Sequence, residues 1–318
     1  MVREGCRTRC KSCEKWYGAE DEDYGPCSIK NARGEQRYIT HGRHKCDEIY
    51  REKPDLSDSP LEIRKAVVED YPRLEALAGK EGWNYRLGDF LDLERTGCAT
   101  TLVANLDGAV RGMVTTMDYG EVGWISNMLI EGSYRRRRLG AELLQEGMRL
   151  LGTKRTVALF SYDESVGYYL KLGFKLEKDY AVVRYLGGHG GRVGAEVPSL
   201  DDVIAMDAEA FSARRGGMLR VLAGRGKVFS PAHGRGFAII RPDPVEPTVG
   251  PAVCDDASAG RELLCAAFDS LGAGSMGVMV GEAPEGFEVV GRVKRLYVGE
   301  PPRTDTGMAL AFAGLEYG

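Results

Sequence analysis

From Val122 to Ile130 the chain carries apolar residues on both alternating faces, a pattern that a strand buries only when both its faces are covered. The segment then meets Glu131-Gly132-Ser133-Tyr134 and four consecutive arginines, Arg135 to Arg138. Beyond them Leu139, Leu143, Leu144, Met148 and Leu151 recur at helical spacing, with Gly152, Lys154 and Arg155 suited to a helix end. A helix start presents unpaired N–H groups and about half a positive charge, so arginines there cost roughly 0.3 to 1 kcal/mol each unless an anion joins them. A central strand, a basic turn and an amphipathic helix in succession therefore predict a phosphate site.

A chain of 318 residues, 43% hydrophobic, is long for one core and predicts two domains with a small appendage. The formal net charge of -4 argues against nucleic acid as a partner of the whole protein. No stretch reaches the roughly 18 apolar residues of a membrane span, and Met1 to Cys13 are polar. The expectation is a cytoplasmic protein without membrane contact.

Further along, Tyr168-Tyr169-Leu170-Lys171-Leu172-Gly173-Phe174 follows the basic turn by about thirty residues. With Arg135-Arg136-Arg137-Arg138-Leu139-Gly140, this resembles the GCN5-related N-acetyltransferases (GNAT), whose loop motif reads Q/R-x-x-G-x-G/A. The first Arg and final Gly match, whereas Arg138 stands where the family has its central Gly. The resemblance implies that acetyl-CoA pyrophosphate lies on Arg135, Arg136, Arg137, Arg138, Leu139, Gly140 and Ala141. It also implies that Met128, Leu129 and Ile130 meet the pantetheine arm through their backbone, and that Tyr169 protonates the CoA sulfur. Tyr162 replaces the Asn common after the fifth strand of the family.

Glu81-Gly82-Trp83-Asn84 resembles the E-G-W-N of a tandem subset of these enzymes, which assigns Trp83 and Asn84 to the acceptor pocket. Met206 to Phe211 with Arg215, Gly236 to Pro242 and Val249 to Val253 are similar to the second half of that subset. Asp255-Asp256 occupies the helix start where a phosphate loop would stand. The implied fold is α/β, with two GNAT-like mixed-sheet domains in tandem after a cysteine-rich segment. Residues 1–53 form that segment, 61–185 the acetyl-CoA-binding domain, and 192–318 a degenerate domain shaping the acceptor cleft.

The implied function is acetyl transfer from acetyl-CoA, as co-substrate, directly to an amine on a small molecule or a protein. The alternative is a non-catalytic acyl-CoA sensor whose cysteine-rich segment binds a partner or nucleic acid. No general base stands out among Glu81, Asp89, Asp118 and Glu121.

Hydrophobic periodicity and turn residues predict strands over 61–67, 100–105, 109–117, 122–130, 156–161 and 180–185 in the first half, with helices over 70–78 and 87–94. In the second half they predict helices over 200–211 and 257–271, and strands over 236–241, 248–253, 276–280, 289–297 and 308–315.

Cys6, Cys10, Cys13, Cys27 and Cys46 crowd the first segment, which has too little apolar periodicity to bury a core. Cys10, Cys13, Cys27 and Cys46 supply the four thiolates of a closed tetrahedral zinc site, and an iron–sulfur cluster uses the same set. His41 or His44 could substitute for one of them. Elemental analysis is expected to find about one metal site per chain, lost when Cys10 and Cys13 become Ser. Metal-free protein with a protease-resistant N-terminal segment would contradict this.

Overall fold

The structure is a computed structural model that describes residues 24–27, 39–41, 60–106, 108–135, 138–188 and 190–318. Cys10, Cys13 and Cys46 lie outside them; Cys27 is described and buried. No group of metal-ligating side chains occurs among the described residues. Among those residues no helix is long and apolar enough to cross a membrane.

Two short strands, β1 (Tyr24–Pro26) and β2 (Ile39–His41), pair with each other. The first half then runs β3 (Leu61–Lys65), α1 (Tyr71–Lys80), α2 (Leu87–Arg95), β4 (Ala99–Leu106), β5 (Ala109–Tyr119) and β6 (Val122–Ile130). It continues with α3 (Leu139–Leu151), β7 (Thr156–Ser161), α4 (Asp163–Lys171) and β8 (Lys175–Tyr185). The second half is α5 (Leu200–Phe211), α6 (Gly216–Arg225), β9 (Lys227–Phe229), β10 (Gly236–Arg241), β11 (Thr248–Cys254) and α7 (Ala257–Leu271). It closes with β12 (Met276–Met279), β13 (Phe287–Gly299) and β14 (Ala309–Ala311).

Strands β3 to β14 form one mixed 12-stranded sheet, in the order β3-β4-β5-β6-β7-β13-β8-β12-β14-β11-β10-β9. The order shows a reciprocal exchange. β13, from the second half, lies between β7 and β8, and β8 pairs on its other side with β12 of the second half. Packing follows the pairing. Leu296 of β13 is fully buried among Leu102, Leu143, Leu159 and Tyr169 of the first half. Ala181, Val183 and Tyr185 of β8 are buried with Leu263, Phe268 and Met279 of the second. A third core, including Trp124, Tyr180, Phe237 and Phe312, draws on both halves.

Helix α6 has no counterpart among the sequence expectations, because Gly216-Gly217 at its start reads as a helix breaker. The physical reason for Gly217 is close approach: a Cβ there would lie 2.0 Å from the Thr96 carbonyl oxygen at the end of α2. The buried pair Arg215–Asp207, with N–O separations of 2.7 and 2.9 Å, ties the start of α6 to α5. β8 and β13 are each longer than the alternation indicates, since both extend as partners of one another.

Because β13 completes the first-half core, Leu296→Ala is expected to destabilise the protein by about 2–5 kcal/mol in denaturant unfolding. A chain stopped after Leu186 loses β13 and is expected to be insoluble or loosely packed on sizing. A soluble, cooperatively folding fragment would show that the exchange is dispensable.

Candidate active site

Strands β6 and β7 are parallel, and their ladder runs from Val122↔Thr156 to Ile125↔Leu159 and no further. β6 continues to Ile130 beside β5 alone. The parting coincides with a bulge: the β5–β6 register steps from Thr115↔Ser126 to Met113↔Leu129, and Asn127 adopts φ 51°. Asparagine tolerates this left-handed geometry better than most residues. Its side-chain amide donates to the Tyr85 hydroxyl at 3.0 Å and to Thr115 Oγ1 at 3.3 Å, holding the bulge.

Below the parting, Glu131 gathers Arg73 at 2.8 Å, Lys80 at 2.9 Å and Arg111 at 3.0 Å. Burial alone would raise the Glu131 carboxyl, but these cations hold it below the ordinary carboxylate range. The end of β6 is thereby fixed against α1. Arg135, the first arginine of the basic turn, donates through Nε to the Ile130 carbonyl at 2.7 Å and pairs with Glu81 at 2.6 Å. Its charge therefore braces the turn against the loop after α1 and is partly neutralised there. Arg136 and Arg137 lie outside the described residues.

Arg138 is exposed, takes φ 63° and forms the N-cap of α3 without a side-chain capping bond. The left-handed backbone that the family's glycine would supply is thus retained on an arginine, at a conformational cost of roughly 1–2 kcal/mol. Helix α3 then offers its first N–H groups, at Leu139, Gly140 and Ala141, with no intrahelical acceptor. A Cβ on Gly140 would stand 3.0 Å from the Tyr168 hydroxyl and 3.2 Å from Met128 Cε. The helix start, the β6 bulge and α4 therefore converge.

An open cleft of about 620 Å³ extends from this point. Ile125 to Met128, Ser161, Tyr162 and Tyr169 line it from the first half, with Gly82 to Tyr85 and Asp89 from the α1–α2 region. Arg225, Arg241 to Asp243, Glu246 and Leu315 to Tyr317 line it from the second. The structure thus brings Met128, Tyr169, Trp83 and Asn84 to one cleft, with Gly140 beside Met128. Leu129, Ile130 and Leu139 are buried behind it.

Tyr169 is buried, edge-on to Phe174 with ring centroids 5.7 Å apart, and still forms part of the cleft wall. Burial first and Tyr168 second push its phenol well above the ordinary tyrosine range. Tyr168 is more open, and burial raises it to about 12. Of the carboxylates weighed as bases, Asp118 is tied to Lys154 at 2.8 Å and Glu81 to Arg135. Asp89 alone of the four lines the cleft, its carboxyl raised by burial despite hydrogen bonds from the Arg86 amide and Arg225.

Several lining groups carry no signal in the sequence. Ser126 presents a buried hydroxyl without a hydrogen-bond partner among the described residues, and Tyr85, the Asp243 to Glu246 loop and Glu316 come from three segments remote from one another. Only Asn127 gave a local cue, as a turn-prone residue inside a strand.

The corresponding parallel pair of the second half, β11 and β12, touches only at Thr248↔Met276. Here β14 enters the gap and bonds both strands, with Ala311 opposite Ala252 on one side and Met279 on the other. Gly250 permits the fit, since a Cβ there would lie 1.9 Å from the Phe312 carbonyl oxygen. At the start of α7 the Asp256 carboxylate accepts from the Ala259 amide at 2.8 Å. The second gap is therefore filled with backbone, and its helix start is capped by an acid.

An acetyltransferase (GNAT) family model matches residues 62–174, and an acetyltransferase (GNAT) domain model matches residues 203–303. Among solved structures, a protein of Pyrococcus horikoshii described as an acetyltransferase superposes with a TM-score of 0.66 at 18% identity, over 86% of this chain and 99% of that one. A GCN5-related N-acetyltransferase of Kribbella flavida gives 0.48 at 14% identity, over 77% and 72%. The PaiA N-acetyltransferase of Thermoplasma acidophilum, in complex with coenzyme A, gives 0.33 at 21% identity, over 37% and 91%. No curated protein sequence is significantly similar to the chain. The fold is shared with the Pyrococcus protein along nearly all of that protein's length, and this chain carries two GNAT acetyltransferase domains in tandem.

Proposed function

We propose that the protein transfers the acetyl group of acetyl-CoA directly to an amine, using one donor site in the first half and a cleft completed by the second. The observation that carries this reading is the open gap between β6 and β7, which leads to the uncapped N-terminus of α3. A pantetheine arm is a narrow chain with amide groups, and it suits a gap edged by Ser126 to Met128 on the side of β6 where its ladder with β7 has ended. The pyrophosphate then falls on the α3 amides, with the Arg138 guanidinium free to approach from solvent.

In the reaction a neutral amine attacks the thioester carbonyl, the C–N bond forms, and the C–S bond breaks as the thiolate departs. The nitrogen loses a proton and the sulfur gains one. A phenol held above its ordinary range keeps its proton at neutral pH, so Tyr169 acts as hydrogen-bond donor to the sulfur while negative charge develops there.

Calorimetry is expected to give one acetyl-CoA per chain, and Gly140→Glu is expected to abolish binding by crowding Tyr168 and Met128 and adding like charge. Two sites per chain, or unchanged affinity in the variant, would refute the single donor site.

Tyr169→Phe is expected to lower turnover by about 10- to 1000-fold with little change in acetyl-CoA affinity. Full turnover would make Tyr169 a packing residue. Acetyl-CoA binding without turnover on any amine, in the unaltered protein, would favour the sensing alternative.

A further inference from the structure

The acceptor half of the cleft has a chemical character of its own. Four carboxylates, Asp89, Asp243, Glu246 and Glu316, share it with two guanidiniums, Arg225 and Arg241. Neither arginine is available to neutralise the whole group. Arg225 pairs with the buried Asp92 as well as with Asp89, and Arg241 is bound to Glu316 at 3.1 Å and to the Ala313 carbonyl at 2.7 Å. Asp243 is turned by the amides of Val245 and Glu246, at 2.8 and 2.9 Å, and meets Arg86 only at 3.9 Å. Glu246 forms no ion pair with any described residue. The lining is formally two charges negative.

One further feature points to a ligand at these acids and another to the gap end of the same cleft. Trp83, Tyr85, Tyr162 and Tyr317 line the same cleft, and aromatic faces beside carboxylates form a recognition surface for ammonium groups. The Ser126 hydroxyl, 9% exposed as a residue, is buried without a partner among the described residues, on the β6 segment that edges the gap. A hydroxyl in that state leaves a donor and an acceptor unused at the gap end of the cleft.

We propose that the acceptor is an amine carrying at least one further positive charge, a diamine, polyamine or similarly polycationic molecule. Its distal ammonium rests on Glu246 and Asp243, while the reacting nitrogen lies toward Ser126 and Tyr169. This rests on the acetyl-transfer reading, since it assigns the other end of the same cleft. The geometry favours one substrate charge on the second-half acids and a second nitrogen, neutral when it reacts, at the gap.

The test uses the full-length protein saturated with CoA, titrated calorimetrically with putrescine, spermidine, butylamine and glutamate. Acetyl transfer to each amine is measured in parallel. Putrescine and spermidine are expected to bind at least about 10-fold more tightly than butylamine, the monocation of matching chain length, and glutamate not at all. Glu246→Gln and Asp243→Asn are each expected to raise the KM for the diamine about 10-fold with kcat little changed, while butylamine is unaffected. Added salt should act in the same direction as these variants. Equal binding of butylamine and putrescine, preference for glutamate, or diamine binding indifferent to both variants would overturn the proposal. The titration needs no turnover. Tight diamine binding without acetylation would therefore uphold the acid site while removing the acetyl-transfer reading.

Discussion

The parting of two parallel strands past Ile125 and Leu159 is the constraint on which the rest of the architecture depends. Backbone groups in a sheet interior have to be paired, and an open gap inside a 12-stranded sheet is stable only where another molecule or more chain can satisfy it. The protein uses both solutions. In the first half the gap stays open, held by the Asn127 bulge and by Glu131 with its three cations. In the second half β14 fills it. The same local geometry therefore yields an open cleft once and a packed core once, and the difference lies in a three-residue strand.

The exchange of β8 and β13 gives that asymmetry a second use. Were the two halves separate, the second would be a spare domain. With Leu296 inside the first-half core and Val183 inside the second, each half completes the other. The cleft walls are fixed by the same pairing. Segments after β10, around β11 and at Leu315 to Tyr317 reach the first half's gap because the central strands hold the halves in register. Loss of the exchange would thus cost the second-half wall of the cleft as well as the core.

Much of this was legible in the residues, and the boundary of legibility has physical causes. The central strand, the basic turn and α3 announce themselves, because burial on two faces, charge and helical periodicity are local properties. Trp83, Asn84 and Tyr169, singled out by the family resemblance, line the cleft. The sheet order was not legible, since β8 and β13 alternate as ordinary strands and nothing local records which partner a strand takes. Helix α6 was hidden by Gly216-Gly217, where tertiary contact at Thr96 overrides intrinsic propensity. The acids at positions 243, 246 and 316 carry no motif. They become a group only when two distant segments, the 243–246 loop and the chain around Glu316, meet.

Charge ties these elements together. The whole chain is nearly balanced at -4, yet the cleft lining carries four carboxylates against two guanidiniums, while the start of α3, with the exposed Arg138, lies beside Met128 at its other end. An anionic donor and a cationic acceptor would each be drawn to the correct end, and each would be repelled from the wrong one. On the proposed chemistry, acetylation converts a nitrogen that is protonated in free solution into a neutral amide, while the distal ammonium on the acids keeps its charge throughout. The free product therefore carries one positive charge fewer than the free substrate, so the acidic cleft attracts fresh substrate more strongly than it recaptures released product.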